Sequence, residues 1–119
     1  MIRLFFALAL LLVSASVKAD TLTLARHYGV VGTNPNGSKY SGTADVQVIS
    51  DTTFYIDWKI AGDVYKGFGM RQGGVLAATY TINGVPGLVI YSVETGGVMK
   101  GSWALRGQDG NGTEQLIPQ

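Results

Sequence analysis

Glycine is the residue that most constrains the fold of this chain. All 17 glycines of the 119 residues lie between Gly29 and Gly112. Glycine costs a helix interior about 1 kcal/mol relative to alanine, and here it recurs at short intervals among Val, Ile, Thr, Tyr and Phe, which are typical of strands. The composition therefore predicts an all-β fold of short strands joined by tight turns, with almost no helix.

Alternation of apolar and polar residues divides this part of the chain into strands. The clearest example is the segment TFYIDWKI, in which Phe54, Ile56 and Trp58 share one face. The dipeptide Asn83-Gly84 is the strongest hairpin signal, and Gly62-Asp63 predicts another turn. Eight strands are predicted, over residues 21–32, 40–50, 53–60, 64–71, 75–82, 85–94, 98–107 and 113–117.

The short connections decide how these strands pair. Connections of a few residues force neighbouring strands to be antiparallel, because a parallel crossover needs a dozen residues or more. Closure of the meander removes the unpaired edges. We therefore predict an antiparallel meander of about eight short strands closed into a small barrel, and a two-sheet sandwich is the alternative if the first and last strands cannot pair.

Two strands and one repeated pattern need separate interpretation. In residues 64–71 the alternation does not show which residues face the core. Residues 85–94 are apolar on both faces, which favours a central strand.

A bulky residue stands two positions before glycine at Gly42, Gly67 and Gly101. This spacing predicts that glycine leaves room for a neighbouring ring to lie over bare backbone, or for a sharp coil in the strand.

The N-terminal segment indicates export. Arg3 precedes ten apolar residues from Leu4 to Val13, and Val17-Lys18-Ala19 fits a signal peptidase site. The apolar stretch is too short for a membrane span of about 20 residues. We predict a signal peptide at 1–19, cleavage between Ala19 and Asp20, and a single β-barrel domain at 20–119. A short signal peptide with a single arginine suits a Gram-negative bacterium and indicates a periplasmic or secreted location.

Charge and cysteine usage exclude several classes of function. Without residues 1–19, seven Lys and Arg remain against eight Asp and Glu, a net charge of −1, and there is no cysteine. The charged residues are scattered and nearly balance, so they predict no basic patch of the kind that binds nucleic acid. The missing cysteine excludes disulfides and a lipid-modified cysteine. No nucleotide-binding glycine motif occurs, so we expect no cofactor and no membrane span in the mature chain.

Catalytic and metal-binding residues are not evident. His27 is the only histidine, too few for a transition-metal site, and is expected to be solvated or hydrogen bonded on a strand. Asp45, Asp57 and Glu94 lie on different strands, and nothing in their spacing selects a catalytic pair. Residues 109–114 place oxygens at alternate positions but lack the twelve-residue loop and flanking helices of an EF-hand. They are interpreted as a hairpin loop, and we expect the protein not to be an enzyme.

The aromatic residues are the candidates for binding. In a small barrel most rings fill the interior. The alternative is an aromatic-lined cleft at the barrel mouth that holds a small apolar or planar ligand. For that case the predicted ligand-binding residues are Trp58, Trp103 and Tyr65.

The strings YGVVGTNPNGSKYSGTADVQV, GLVIY, GSWALRG and GNGTEQL resemble a family of small exported bacterial proteins. The family's order of motifs maps here to Gly32–Gly42, Trp58, Gly101–Trp103 and Gly112–Glu114. Its members are largely uncharacterised, and some are labelled fibronectin-binding. The string GVMKGSW also resembles strands of avidin-type eight-stranded barrels, which implies barrel architecture but not biotin binding.

Together these features predict an exported, non-catalytic binding or interaction module for an unknown protein or small ligand. The alternative is a carrier that holds a small apolar or aromatic ligand in a barrel cavity.

Overall fold

The computed structural model describes residues 23–119. The predicted signal peptide and its cleavage site lie outside the described residues, so they stay predictions. The described chain is an eight-stranded closed barrel, and the predicted all-β meander is confirmed. Its strands are β1 His27–Thr33, β2 Lys39–Val48, β3 Thr53–Ile60, β4 Asp63–Gln72, β5 Val75–Ile82, β6 Val85–Val93, β7 Met99–Leu105 and β8 Gly112–Pro118.

Every strand pairs antiparallel with its neighbour in sequence, and β8 returns to pair with β1. The closing register joins Val30 to Leu116 and Gly32 to Glu114. Because the first and last strands do pair, the sandwich alternative is excluded. The described residues contain one short 3-10 helix, Thr95–Gly97, and no helix among them has the length and apolar character to cross a membrane.

The period of two sends alternate residues into the barrel. In β3, Phe54, Ile56 and Trp58 are buried, as their shared face predicted. The large, fully buried side chains include Tyr28, Val30, Phe54, Ile56, Leu76, Tyr91, Met99 and Leu116. Since there is no cysteine, this apolar core stabilises the domain without disulfides.

The turns follow the predicted chemistry with one shift. Asn83 and Gly84 both adopt positive φ, 51° and 81°, as a two-residue type I′ hairpin requires. The turn between β3 and β4 consists of Ala61 and Gly62, with φ 53° and 85°. The prediction of Gly62-Asp63 was therefore displaced by one residue, since Asp63 already belongs to β4.

The first strand was predicted to begin too early. Thr23–Arg26 precede β1 in irregular conformation, and Leu24 and Ala25 pack against the core. The amide of Ala25 donates to the Tyr28 hydroxyl at 2.9 Å. The segment therefore covers the end of the barrel at which β1 starts, and it does not extend the sheet.

The structure also shows which side chains face inward and outward in β4 and β6, the two strands whose sequence patterns needed separate interpretation. In β4, Tyr65, Gly67 and Gly69 point inward, so the more hydrophobic alternate set of the strand faces outward. In β6, Leu88 and Ile90 are 64% and 52% exposed. The prediction of a central strand therefore holds for its pairing on both sides, while its outer face lies uncovered.

Candidate ligand-binding cavity

One end of the barrel is filled and the other is hollow. The filled end contains a floor of packed apolar side chains that includes Phe54, Leu76, Met99 and Leu116. At the opposite end, where β1, β3, β5 and β7 finish, an open cavity of about 280 Å³ lies inside the barrel. Its lining residues are Asn34, Tyr40, Trp58, Ile60, Ala61, Tyr65, Tyr80, Ile82, Val89, Trp103 and Glu114.

Aromatic rings form most of the cavity wall. Trp58 and Tyr80 meet edge to face with their ring centroids 5.4 Å apart. Tyr40 and Trp103 form a second edge-to-face pair at 6.3 Å. Both separations are favourable for aromatic pairs, so the rings hold each other in place around the cavity.

Glycine on the neighbouring strand keeps these rings against the wall. Trp103 pairs with Gly112, and Tyr80 pairs with Gly87. A Cβ atom on Gly87 would lie 2.5 Å from the Tyr80 ring, and one on Gly112 would overlap the Trp103 indole. Because the glycines carry no side chain, the rings lie over bare backbone and leave the centre of the barrel open.

The predicted role of the bulky-x-Gly repeat is thus confirmed at two of its three positions. Gly67 lies beneath Trp58, and Gly101 lies beneath Tyr91. Gly42 instead accommodates Ile60, whose Cγ1 would lie 3.0 Å from an added Cβ.

Glu114 lies at the bottom of the cavity and is 6% exposed. The inward positions of β8 are Gly112, Glu114 and Leu116, so the carboxyl group sits between the mouth and the apolar floor. The Tyr40 hydroxyl donates to its Oε1 at 2.8 Å, and Trp58 Nε1 donates to its Oε2 at 3.0 Å. The Tyr91 hydroxyl also donates to Oε2 and lies 3.2 Å from Trp58 Nε1.

Burial governs the electrostatics of this group. Desolvation raises the pKa of Glu114, and the hydrogen bonds from Tyr91, Tyr40 and Trp58 partly oppose that rise. The pKa values of Tyr40, Tyr80 and Tyr91 are also raised, first by burial and then by the neighbouring Glu114 charge. These tyrosines therefore remain protonated donors at neutral pH.

One polar atom of the cavity wall lacks a well-formed hydrogen bond. Trp103 Nε1 is buried and makes no hydrogen bond within residues 23–119. The Tyr40 hydroxyl donates to Glu114, and its oxygen is the nearby acceptor with which the Trp103 indole interacts.

The structure brings all three predicted site residues, Trp58, Trp103 and Tyr65, to this cavity. Their part in binding stays a prediction. Sequence reasoning missed Glu114 as a site residue, because it was considered only as an oxygen ligand of the loop at residues 109–114, although the last predicted strand, 113–117, also contains it. Its register with Leu116 was the signal that would have placed it inside the barrel. Tyr40 and Tyr80 also line the cavity, although they were not among the predicted ligand-binding residues.

The other polar candidates lie on the outer surface. Asp45 accepts from His27 at 2.6 Å and from Lys59 at 3.2 Å, and these contacts lower the pKa of its carboxyl group, with His27 the larger cause. Asp57, which pairs with Lys66 at 3.2 Å, lies directly across from Asp45. Neither acid reaches the cavity.

Glu94 is exposed beyond the end of β6. Within the described part of the chain, no three His, Cys, Asp or Glu side chains come together as metal ligands would.

Comparison with known proteins supports the fold alone. No protein-family model and no curated protein matches this chain. Among solved structures, a redesigned β-barrel matches with a TM-score of 0.64 and 19% identity, over 81% of this chain and 91% of that one. A de novo designed fluorescence-activating β-barrel matches with a TM-score of 0.62 and 16% identity, over 81% and 94%.

Proposed function

We propose that this protein binds a small, largely apolar or aromatic molecule in the open end of its barrel, without transforming it. The observation that carries the proposal is the cavity of about 280 Å³, walled by Trp58, Tyr80 and Trp103. Ligand sites are concave, mostly apolar, and carry a few convergent polar groups. Here the polar groups are the Glu114 carboxyl and the Tyr40 hydroxyl that donates to it.

The architecture supports the same proposal. The floor of packed side chains closes one end, so a ligand enters only from the mouth. The aromatic wall is held by ring–ring contacts and by the glycines beneath it. A rigid wall reduces the ordering cost of binding. A designed barrel of the same fold is described as fluorescence-activating, which is compatible with a barrel that holds a small molecule.

The intrinsic fluorescence of the protein provides the test. Trp58 and Trp103 are the only tryptophans of the chain, and both line the cavity. We expect titration with benzyl alcohol to change their emission saturably. The Val89→Phe variant, which fills the cavity from its wall, should abolish the change. The matched Val31→Phe variant, on the outer face where Val31 is 45% exposed, should retain it. Equal responses from both variants would contradict the proposal.

A second candidate function is association with another protein through the outer face of β4, β5 and β6. Phe68 and Leu88 both pair with Thr79, while Met70 and Ile90 both pair with Ala77. The four apolar side chains, each more than half exposed, therefore form one continuous patch. Such patches often mark interaction sites. In pull-down experiments, replacing Phe68 and Leu88 by Ser should abolish capture of a protein partner and leave benzyl alcohol binding intact. Unchanged capture would exclude this surface.

A further inference from the structure

The cavity contains one carboxyl group, and the groups that hydrogen bond to it are neutral. Glu114 accepts from two phenol hydroxyls and one indole N–H. Three ion pairs join His27 and Lys59 to Asp45, and Lys66 to Asp57, on the outside of the barrel. A buried carboxylate without a cationic partner has an uncompensated desolvation cost. The ionised side chain is therefore a site for a positive charge.

The hydrogen bonds leave one side of the carboxylate available. A carboxylate offers about four acceptor positions. Oε2 receives Tyr91 and Trp58, whereas Oε1 receives only Tyr40. The remaining position belongs to Oε1, and both Glu114 and Tyr40 line the cavity. A donor that enters from the mouth can occupy it.

The aromatic wall favours the same kind of ligand. A cation within about 6 Å of a tryptophan or tyrosine ring is attracted to its face, and the attraction is strongest when the cation is desolvated. Trp58, Trp103, Tyr65 and Tyr80 surround the space above Glu114. A buried acid at the bottom of a cavity with aromatic sides is thus suited to an organic cation.

We propose that the ligand is a small organic ammonium ion, with its charged group directed toward Glu114 and an apolar or aromatic body between the rings. The proposal rests on the cavity being a binding site. The volume of about 280 Å³ equals that of roughly nine water molecules at about 30 Å³ each. This size suits a molecule with one ring or a short branched chain.

A series of three ligands with one ring and different charges tests the inference. Benzylammonium, benzyl alcohol and benzoate are titrated at pH 7.5 into the full-length chain and followed by tryptophan fluorescence. We expect benzylammonium to bind at least tenfold more tightly than benzyl alcohol, and benzoate to bind most weakly. If benzyl alcohol or benzoate binds as tightly as benzylammonium, the inference is wrong. If none of the three binds, the proposed function fails with it.

Two variants assign the preference to the carboxylate. Glu114→Gln should weaken benzylammonium binding by a factor at least ten times larger than the factor by which it weakens benzyl alcohol binding. Glu94→Gln removes the same charge from an exposed position outside the cavity, and should alter neither affinity. Equal loss for both ligands in Glu114→Gln would refute a charge-specific role. If that variant does not fold, the wild-type ligand series still decides.

The pH dependence of the wild-type protein gives a separate measurement. The groups that face Glu114 are Tyr40, Trp58, Tyr80 and Tyr91, and the tyrosine pKa values are raised. Burial raises the pKa of Glu114, and among these groups it is the acid that ionises first as the pH rises. Benzylammonium affinity should rise with pH as Glu114 ionises, while benzyl alcohol affinity does not rise. Parallel pH profiles for the two ligands would contradict the inference.

Discussion

Substitution of Gly112 by alanine separates the role of glycine in the cavity wall from its general effect on the chain. Gly112 pairs directly with Trp103, and its new Cβ would overlap Cε2, Nε1 and Cζ2 of the indole. The nearest atoms belong to a rigid ring held by Tyr40 at 6.3 Å, so relief requires movement of the whole side chain. Trp103 lines the cavity, so the ring can move inward into that space.

The expected magnitude follows from two opposing effects. Overpacking a well-packed site costs about 1–3 kcal/mol. Gly112 is not among the glycines with positive φ, so alanine is compatible with its backbone and reduces the entropy of the unfolded chain, which contributes about 0.4–1 kcal/mol of stability. We therefore expect Gly112→Ala to be about 0–2.6 kcal/mol less stable than the wild type, and about 1–3 kcal/mol less stable than a glycine-to-alanine variant that gains the same entropy without the overlap.

Urea unfolding measures this difference, with Gly74→Ala as the matched control. Gly74 has no atom within 4 Å of an added Cβ and no positive φ, so its variant should be neutral or slightly more stable. Combining Gly112→Ala with Trp103→Ala should remove the overlap, so the two substitutions should be strongly non-additive. A Gly112→Ala variant as stable as Gly74→Ala would refute the argument that glycine makes room for the ring.

Three further substitutions test other parts of the account. Tyr91→Phe removes a donor to the buried Glu114 and should cost about 1.5–3 kcal/mol in urea unfolding, whereas Tyr55→Phe, on the exposed outer face, should cost little; equal losses would argue against the network. Burial raises the folded-state pKa of Glu114, so the stability associated with its protonated side chain is fully present below the unfolded pKa of 4.5. This stability is lost as pH rises through the folded-state pKa. Wild-type stability should accordingly fall with rising pH relative to Glu114→Gln, and superimposable pH profiles would oppose this sign. Leu116→Ala creates a void in the packed floor and should cost about 2–5 kcal/mol, against a small effect of Ile117→Ala outside; a mild Leu116→Ala variant would mean that the floor is loosely packed.

The barrel was predictable because its sequence signals are local. Alternation in residues 53–60 and the Asn83-Gly84 dipeptide specify strand faces and a turn without any tertiary information. Short connections then left antiparallel neighbours as the outcome. The start of β1 was not predictable in this way, because Leu24 and Ala25 have strand-like residue types but are drawn onto the end of the core.

The cavity was only partly predictable. Trp58, Tyr65 and Trp103 were selected by residue type, but their meeting at one end depends on the register of β3, β4 and β7. Glu114 was placed in the last predicted strand, but its alternation with Leu116 was not used to place it inside the barrel, because charged residues are seldom buried. Its inward direction follows from pairing with Gly32 on β1 and Gly101 on β7, which are contacts between residues far apart in sequence.

The central claim, that the open end of the barrel is a binding site, is tested most directly by two-dimensional ¹H–¹⁵N NMR of the labelled protein. The chain contains two tryptophans, so two indole N–H signals report on opposite parts of the cavity wall. During titration with benzylammonium, both signals should shift along saturable curves with a common dissociation constant. The amides of Phe68 and Leu88 on the outer face should shift much less. Saturable shifts at these outer residues, with both indole signals unmoved, would contradict the account.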